Sequence, residues 1–435
     1  MRTLRAAGHV AYLAGGCVRD LQLGREPDDW DVATSASPAE VRRLFRRTVP
    51  VGVQFGVVLV VDDGHRVEVA TFRREGPYRD HRHPAEVAPA DPREDASRRD
   101  FTINGMFLDP ETGEVIDYVG GLQDLRAGVI RAIGDPRARF DEDRLRLLRA
   151  VRFAARFDYR VEERTWAALR ELAPGITAIA WERIGDEIDR ILREGAARRG
   201  FELLAASGLL AVVLPEIEAM RGVEQPPDFH PEGDVFVHTL GCLEQLSGER
   251  HGEALRFAVL LHDVAKPLCA KRSAEGRISF HGHAERGAEM TREICRRLRR
   301  SREVGEAAAW LVANHLRYRE AREMRLATLR RLLAEPAIED LLELVRIDLA
   351  SGGRDLSLWR FCRERLAELG ERGRRPEPLL RGRDLLALGY RPGPAFGEIL
   401  RRAYDAQLEG DLRSAEEARE WALAHFPPED GASGA

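Results

Sequence analysis

Lysine is almost absent from this 435-residue chain: it stands only at Lys266 and Lys271, and the other basic residues are arginine. Guanidinium groups suit bidentate contacts to phosphate. A GC-rich genome gives the same bias without a functional cause, and composition leaves both explanations open. Cysteine is scarce too. Cys17, Cys242, Cys269, Cys295 and Cys362 are scattered and form no CxxC, which argues against a zinc–thiolate site and fits reduced thiols in a cytoplasmic protein. No apolar run approaches the length of a membrane span, so no transmembrane helix and no membrane partner are expected. The N-terminal MRTLRAAGHVAYLAGG lacks a long apolar core and a small-residue cleavage site, so no signal peptide is expected. There is no excess of positive charge either. The formal net charge is −5, so any nucleic-acid contact requires a local patch. There is no internal repeat, and the sequence does not give an oligomeric state.

What is present suffices for two to four domains, with 44% hydrophobic and 32% charged residues. Residues 10–120 read as α/β. VAYLAGG is a strand ending in a tight turn, and VRDLQLG a short helix closed by Gly24. WDVAT, FGVVLVV and RVEVATF are strand-like, PAEVRRLF is a helix opened by Ser37 or Pro38, and strands return at TINGMFLD and VIDYVG. From about residue 135 the pattern is helical. DEDRLRLLRAVRFAARF places Leu145, Leu148, Val151 and Ala155 at helical spacing with arginines between. QPPDFHPEGD (225–234) and GERGRRPEP (370–378) read as linkers, and the terminal GASGA as a disordered end.

Three constellations carry chemistry. Gly15 and Gly16 lie at a strand-to-helix turn, where backbone N–H groups can approach a phosphate, and Arg19 follows one helical turn on. One helix later comes DDWDVAT. On a strand, Asp29 and Asp31 share a face, and carboxylates that close repel unless a cation lies between them. Glu68, inside a strand-like stretch, is a candidate third carboxylate or a water-facing edge residue. The third constellation is in the second half: His238, His262, Asp263, His283, His315 and Asp348. Imidazoles and carboxylates without thiolates suit Mg, Mn, Fe, Ni or Zn used for hydrolysis. His281 is open as a substrate contact or alternate ligand.

The series GGCVRD, DDWDVATSA, VEVATFR, RRDFTINGM, DYVGGLQDL and DEDRLRLLRAVRFAARF runs in order over roughly the first half of the chain. It resembles the bacterial class II tRNA nucleotidyltransferase and poly(A) polymerase family. The resemblance implies an α+β fold: a polymerase-beta-like nucleotidyltransferase head on a mixed β-sheet, followed by an all-helical neck, HD body and tail. The expected domains are a catalytic head at 1–135, a neck for base selection and RNA binding at 136–224, an HD metal-binding domain at 231–355 and a helical tail at 376–430. The implied activity is template-independent addition of C, C and A to the 3′ end of tRNA from CTP and ATP.

The resemblance gives Asp29 and Asp31 a two-magnesium role, one ion activating the tRNA 3′-hydroxyl and the other holding the triphosphate. It puts Gly16 and Arg19 at the nucleotide, Arg99 and Asp100 near the triphosphate and ribose, and Asn104 in support. Asp143 and Arg146, read as i and i+3 on one helix face, form an acceptor–donor pair. C and A both offer a ring-nitrogen acceptor beside an amino donor, and G and U the opposite order, so one such pair can accept CTP and ATP. The alternative for that pair is a solvated surface ion pair. Arg149 and Arg152 continue the basic face. TFRREGPYRDHRHPAEV (71–87) is similar to the family's flexible loop, with His81 where glycine is usual.

The histidine series is similar to the HD phosphohydrolase superfamily. It implies a divalent transition metal (Mn, Ni, Fe or Zn) or Mg, with phosphatase or cyclic 2′,3′-phosphodiesterase activity as one outcome and a purely scaffolding role as another. The tail resembles the C-terminal segment of HD-bearing members, where Arg381, Arg383 and Arg391 grip the tRNA elbow or the helices merely cap the fold. The rivals are A-addition only or poly(A) synthesis, a metal-dependent phosphohydrolase with a nucleotide-binding head, and a non-catalytic RNA-binding protein.

Overall fold

The computed structural model describes residues 1–49, 56–62, 64–76, 78, 86–226, 233–246, 250–374 and 376–427. His81, with residues 77 and 79–85 of the predicted 71–87 loop, the centre of the 225–234 linker, the 231 boundary and the GASGA end lie outside them. The chain forms two compact units. The first holds residues 1–224, 233–256 and 293–305, and the second 225–232, 257–292 and 306–435.

The first unit begins with nine strands: β1 (Ala11–Ala14), β2 (Trp30–Thr34), β3 (Thr48–Val49), β4 (Val57–Asp62), β5 (His65–Thr71), β6 (Arg73–Glu75), β7 (Val87–Pro89), β8 (Met106–Leu108) and β9 (Val115–Asp117). Seven of them make one sheet in the order β3-β4-β5-β2-β1-β8-β9, while β6 and β7 pair separately. The sheet is mixed because β2 and β5 run parallel and its other neighbours antiparallel. The strand-like runs read from sequence lie in this sheet, with Val32, Val58, Val60 and Val69 buried. Phe72 and Phe107 meet edge-on at 5.8 Å beneath it.

The helices start where capping chemistry says they should. Pro38–Leu44 opens on a capping box between Ser37 and Glu40, with proline in the first turn. Asp91 forms a second capping box with Glu94 at Pro92–Ser97, and the Asp135 side chain caps Pro136–Glu142 by accepting from Ala138 N. Two expectations need correction. TINGMFLD is not one strand, because Thr102–Asn104 is a 3-10 turn and the strand begins at Met106. DEDRLRLLRAVRFAARF is not one helix. It breaks at Asp143, which is extended (φ −140°, ψ 103°) between Pro136–Glu142 and Leu145–Phe157. The Asp143 carboxylate accepts Leu145 N–H at 3.1 Å, the local side-chain-to-backbone bond that makes aspartate a helix starter rather than a helix interior residue.

Leu145–Phe157 is the central helix of this unit. It packs against Trp181–Arg193 and Ala197–Ser207, and Leu147, Leu148, Ala150 and Val151 are fully buried. Each buried leucine there contributes about 2 kcal/mol of apolar burial.

Among its described residues, the second unit's regular structure is helical apart from a short Lys271–Arg272/Ile278–Ser279 hairpin. The stretch 370–378, expected as a linker, is helical as far as Arg374, with a break at Gly370 (φ 56°) inside Ser357–Arg374. Three tail helices follow, Gly382–Ala387, Pro394–Glu409 and Ala415–His425, around a core of Leu380, Leu385, Ile399, Ala403, Leu412, Ala418 and Ala422.

Candidate functional site

β1 ends at Ala14, and the chain turns through Gly15 (φ 74°) into Gly16–Gln22. A Cβ on Gly15 would lie 2.7 Å from Arg99 Nη1 and 3.8 Å from Asp31 Oδ2, so glycine is what lets the guanidinium and the carboxylate close on this turn. The adjoining cavity, about 500 Å³, is lined by Gly15, Gly16, Arg19, Asp29, Asp31, Arg99, Asp100, Asn104, Asp143, Arg146, Arg149 and Arg152. Every residue expected at the nucleotide is in that one lining.

The parallel pairing sets Asp31 opposite Glu68. Burial, then the charge of Glu68, and that of Asp29, push the Asp31 carboxyl up to about 6, against the pull of Arg99. This excess of carboxylate charge, with Asp29 and Glu68 exposed to solvent, fits a hard divalent cation with oxygen ligands.

The other expected residues are mutually committed. Arg19 pairs with Asp20 through Nε and Nη2, both at 2.9 Å, and donates to Asn104 Oδ1 at 2.7 Å. Arg99 binds Asp95 at 3.1 Å and the Asn104 carbonyl at 3.3 Å. Asp100 accepts from Arg149 at 2.7 and 2.8 Å and from the Asn104 amide at 3.1 Å. Burial opposes its charge, yet Arg149 and Asn104 hold the Asp100 carboxyl well below the usual range. Arg152 is neutralised by Glu187 (2.7 Å) and Glu194 (2.8 Å), and so does not extend an unpaired basic face.

Asp143 and Arg146 do not share a helix face and do not pair. Arg146 binds Glu142 at 2.6 Å and the carbonyls of Arg139 and Arg98 at 2.9 and 3.2 Å. Asp143 is gripped by Arg183 at 2.9 and 3.1 Å. The break before the helix turns Asp143 away from its i+3 neighbour, yet both still reach the cavity. Sequence reasoning missed Arg183, and also Phe153 and Phe157, whose rings stack at 6.1 Å with Arg19 and Arg152 over them at 4.7 and 4.4 Å. In an arginine-rich chain nothing local marks Arg183.

The second unit brings together His262, Asp263, His283, His315 and Asp348, all buried. His238 is buried in the first unit, on Val235–Glu244, with Cys242 Sγ 3.6 Å from its Nε2. One ligand atom each from Asp263, His283 and His315 lies within 4.8 Å of the others. His262 follows the end of Glu253–Leu261, and His315 the end of Arg302–Asn314. Their Nδ1 atoms lie 2.9 and 2.6 Å from the carbonyls of Val259 and Val312, in the last turns whose C=O groups lack helical partners. His283 Nδ1 does the same to Phe280 O at 2.6 Å. A carbonyl only accepts, so each Nδ1 carries a proton, and in a neutral ring Nε2 then presents a lone pair.

His283 Nε2 is buried with no partner. Burial, with the nearby His262, pushes the His315 imidazole down to about 3; burial also lowers His283. Neutral imidazoles with an orphaned lone pair beside a carboxylate are a divalent-metal donor set.

Lys266, missed as a site residue, binds Asp263 Oδ2 at 2.6 Å and Gln225 Oε1 at 2.7 Å and lies over the Phe280 ring at 5.3 Å. A signal for it existed: it is one of only two lysines, three residues after Asp263. Asp263, Lys266, Phe280, His283, His315 and Asp348 line a cavity of about 890 Å³ that also includes His281. Of the tail arginines, Arg381 pairs with Glu377, and a 2.8 Å bond from its N–H to Asp384 starts the helix.

Family models match three segments: the Poly A polymerase head domain at 11–131, the probable RNA and SrmB-binding site of polymerase A at 158–221, and the HD domain at 235–350. The multifunctional CCA protein of Laribacter hongkongensis is 38% identical over 78% of this chain and 84% of its own length. The A-adding tRNA nucleotidyltransferase of Deinococcus radiodurans is 36% identical over 94% of both chains. The CCA-adding enzyme of Streptococcus sanguinis is 43% identical over 51% of this chain and 55% of its own length. Among solved structures, the Bacillus stearothermophilus CCA-adding enzyme in complex with CTP superposes with a TM-score of 0.74 at 27% identity, covering 97% of this chain and 95% of that one. No helix among the described residues is long and apolar enough to cross a membrane. With relatives above 30% identity spanning most of both chains and head, RNA-binding and HD segments in that order, the chain belongs to the tRNA nucleotidyltransferase and poly(A) polymerase family, in its HD-bearing form.

Proposed function

We propose that the protein adds C, C and A to the 3′ end of tRNA from CTP and ATP without a template. The observation that carries this reading is that one cavity of about 500 Å³ gathers the Gly15-Gly16 turn, the Asp29/Asp31 carboxylates and both Asp143 and Arg146, each held by another partner. The names of the relatives over most of the chain support it. The working parts are a catalytic head at 1–135, a base-selecting neck at 136–224, an HD domain at 231–355 and a tail at 376–430. The setting is the cytoplasm, which suits five free cysteines.

In this reading Asp29 and Asp31 hold Mg2+, with Glu68 as the outer carboxylate. Bound there, the metal lowers the pKa of the attacking hydroxyl and offsets the charge of the triphosphate. The Gly15-Gly16 turn, its Gly15 N–H held by Met106 O at 3.1 Å, brings the start of Gly16–Gln22 up to the phosphates, and Arg19, Arg99 and Arg149 set the positive field around them. Asp100 and Asn104 orient that field and face the ribose. Asp143 accepts from the amino group of C or A, and Arg146 donates to the ring nitrogen. Arg183, rather than a helix register, fixes Asp143. In the second unit Asp263, His283 and His315, with His262 and Asp348 as further ligands, hold a divalent metal (Mn, Ni, Fe, Zn or Mg) that supports phosphoester hydrolysis.

A second reading, addition of the terminal A alone, is favoured by the match to the A-adding Deinococcus enzyme over 94% of both chains. The deciding experiment offers tRNA transcripts ending before CCA, after C-C and complete, with Mg2+ and each labelled NTP. C, C and A on the first transcript establishes full addition. A on the second alone establishes the narrower enzyme. Long A tails on any RNA make it a poly(A) polymerase. No addition, with Asp29→Ala equal to wild type, overturns the reading and leaves the HD site as the function.

A further inference from the structure

We propose that Arg354 is the anion-binding residue of the second unit's cavity, taking a phosphoryl oxygen of a phosphoester whose other oxygens face Asp263, His283 and His315. The inference rests on reading that cluster as a divalent-metal site.

The local sequence IDLASGGRD explains how an arginine comes to be there. Ile338–Ser351 ends at Gly352, and Gly353 turns left-handed at φ 62°, with open space where a Cβ would stand. The turn is closed by Arg354 N–H to Leu349 O at 2.9 Å. It folds the guanidinium back over the helix end. Arg354 Nη2 then donates to the Asp348 carbonyl at 2.8 Å and to Asp348 Oδ1 at 2.5 Å. One nitrogen makes both contacts. Nε is buried and has no partner.

A guanidinium offers five donors in a rigid fork, and a buried donor without an acceptor is costly unless a ligand supplies one. Arg354 lines the same cavity as Asp263, His283 and His315. His283 Nε2, in that lining, is the complementary orphan: an acceptor with no donor.

The other cations of the lining are differently placed. Lys266 has two of its three donors committed, to Asp263 and Gln225. Arg317 and Arg319 are exposed, and Arg317 holds Asn314 at 2.9 Å. A metal on the cluster and a guanidinium with unspent donors on the same cavity select a ligand with several charged oxygens on one centre, which is a phosphoryl group. The cavity, about 890 Å³ with Phe280, Leu316 and Tyr318 in its walls, has room for an organic ester group beside it.

The test uses the full chain loaded with Mn2+. Metal content is measured first, then inorganic phosphate binding by calorimetry and by Mn2+-enhanced relaxation of the phosphate 31P signal. Arg354→Gln is expected to keep wild-type Mn2+ content while phosphate binds at least tenfold more weakly, and Arg354→Lys to recover part of the loss. With bis-p-nitrophenyl phosphate as substrate, KM should rise more than kcat falls. Wild-type phosphate affinity in Arg354→Gln with Mn2+ retained overturns this assignment and leaves the metal reading standing. Mn2+ binding unchanged in His283→Ala overturns the metal reading itself, and the assignment with it. Gly353→Ala, which strains the turn without touching the guanidinium, should reproduce the Arg354→Gln defect in part. Wild-type phosphate binding in both variants counts against the proposal.

Discussion

Arg183 and Asp143 meet through both ends of the guanidinium, Nη1 to Oδ1 at 3.1 Å and Nη2 to Oδ2 at 2.9 Å, from positions 40 residues apart. Asp143 therefore owes its orientation to a distant helix, Trp181–Arg193. A charge-assisted pair of this kind is worth roughly 1.5–3 kcal/mol. Arg183→Ala should cut kcat/KM for both CTP and ATP about tenfold or more and raise misincorporation of UTP and GTP, with Arg183→Lys intermediate. Single-nucleotide incorporation on matched tRNA transcripts reads this out. Unaltered base choice in Arg183→Ala would show that Asp143 needs no such brace.

Asp31 sets a pH dependence. Its carboxyl is pushed up to about 6 by burial and by Glu68 and Asp29, so between about pH 4 and 6 the folded protein holds a proton that the unfolded chain has lost. The sign follows: the Asp31 contribution to the stability of the metal-free protein falls as pH rises through that window and is constant above it. Asp31→Asn should remove this slope, raise the metal-free Tm at pH 7.5, abolish the Tm gain on adding Mg2+ and abolish nucleotide addition. Differential scanning fluorimetry from pH 5 to 8, with and without Mg2+, checks the first three. A Mg2+ shift that survives in Asp31→Asn would separate Asp31 from the cation.

Gly15 is the point at which the turn meets Arg99, 2.7 Å from where a Cβ would stand and at φ 74°. Gly15→Ala should cost on the order of 1–2 kcal/mol of stability from the left-handed conformation and the contact. It should weaken NTP binding more than it lowers Tm. Isothermal titration with CTP against a thermal melt separates the two, and equal nucleotide affinity in the variant would contradict the close approach.

Thiol reactivity gives a test of burial independent of the sites. Burial pushes the Cys295 thiol up to about 12 and Cys362 up to about 11, and also raises Cys17. Cys242 is buried, whereas Cys269 is part-exposed. Thiolate is the reactive form, so iodoacetamide at pH 8 should modify Cys269 rapidly in the native protein and all five cysteines after denaturation. Peptide mass mapping counts them. Rapid labelling of native Cys295 would refute its burial.

Much of this architecture is legible locally. Apolar, strand-like runs mark β2, β4 and β5, Ser37-Pro38 marks a helix start, and the Gly15-Gly16 turn and the Asp29/Asp31 pair mark the head cavity. What is not legible is who pairs with whom. Arg146 finds Glu142 and Asp143 finds Arg183, because aspartate prefers the capping position and ends the helix before it can face its i+3 neighbour. Asp100 and Arg149 lie 49 residues apart, and neither periodicity nor composition joins them. The arginine bias that suggested phosphate binding also hides the particular arginines that matter, whereas rare lysine made Lys266 conspicuous in retrospect.

The Nδ1 atoms of His262, His283 and His315 are each spent on a carbonyl three residues back. The tautomer is thereby settled by the backbone before any cation arrives. With burial keeping His283 and His315 neutral, cation uptake near pH 7 displaces no proton from these two rings and calls for no ring flip. The heat of metal binding should accordingly be insensitive to the ionisation enthalpy of the buffer as far as these rings are concerned, and uptake should be as fast as the ion can shed its water.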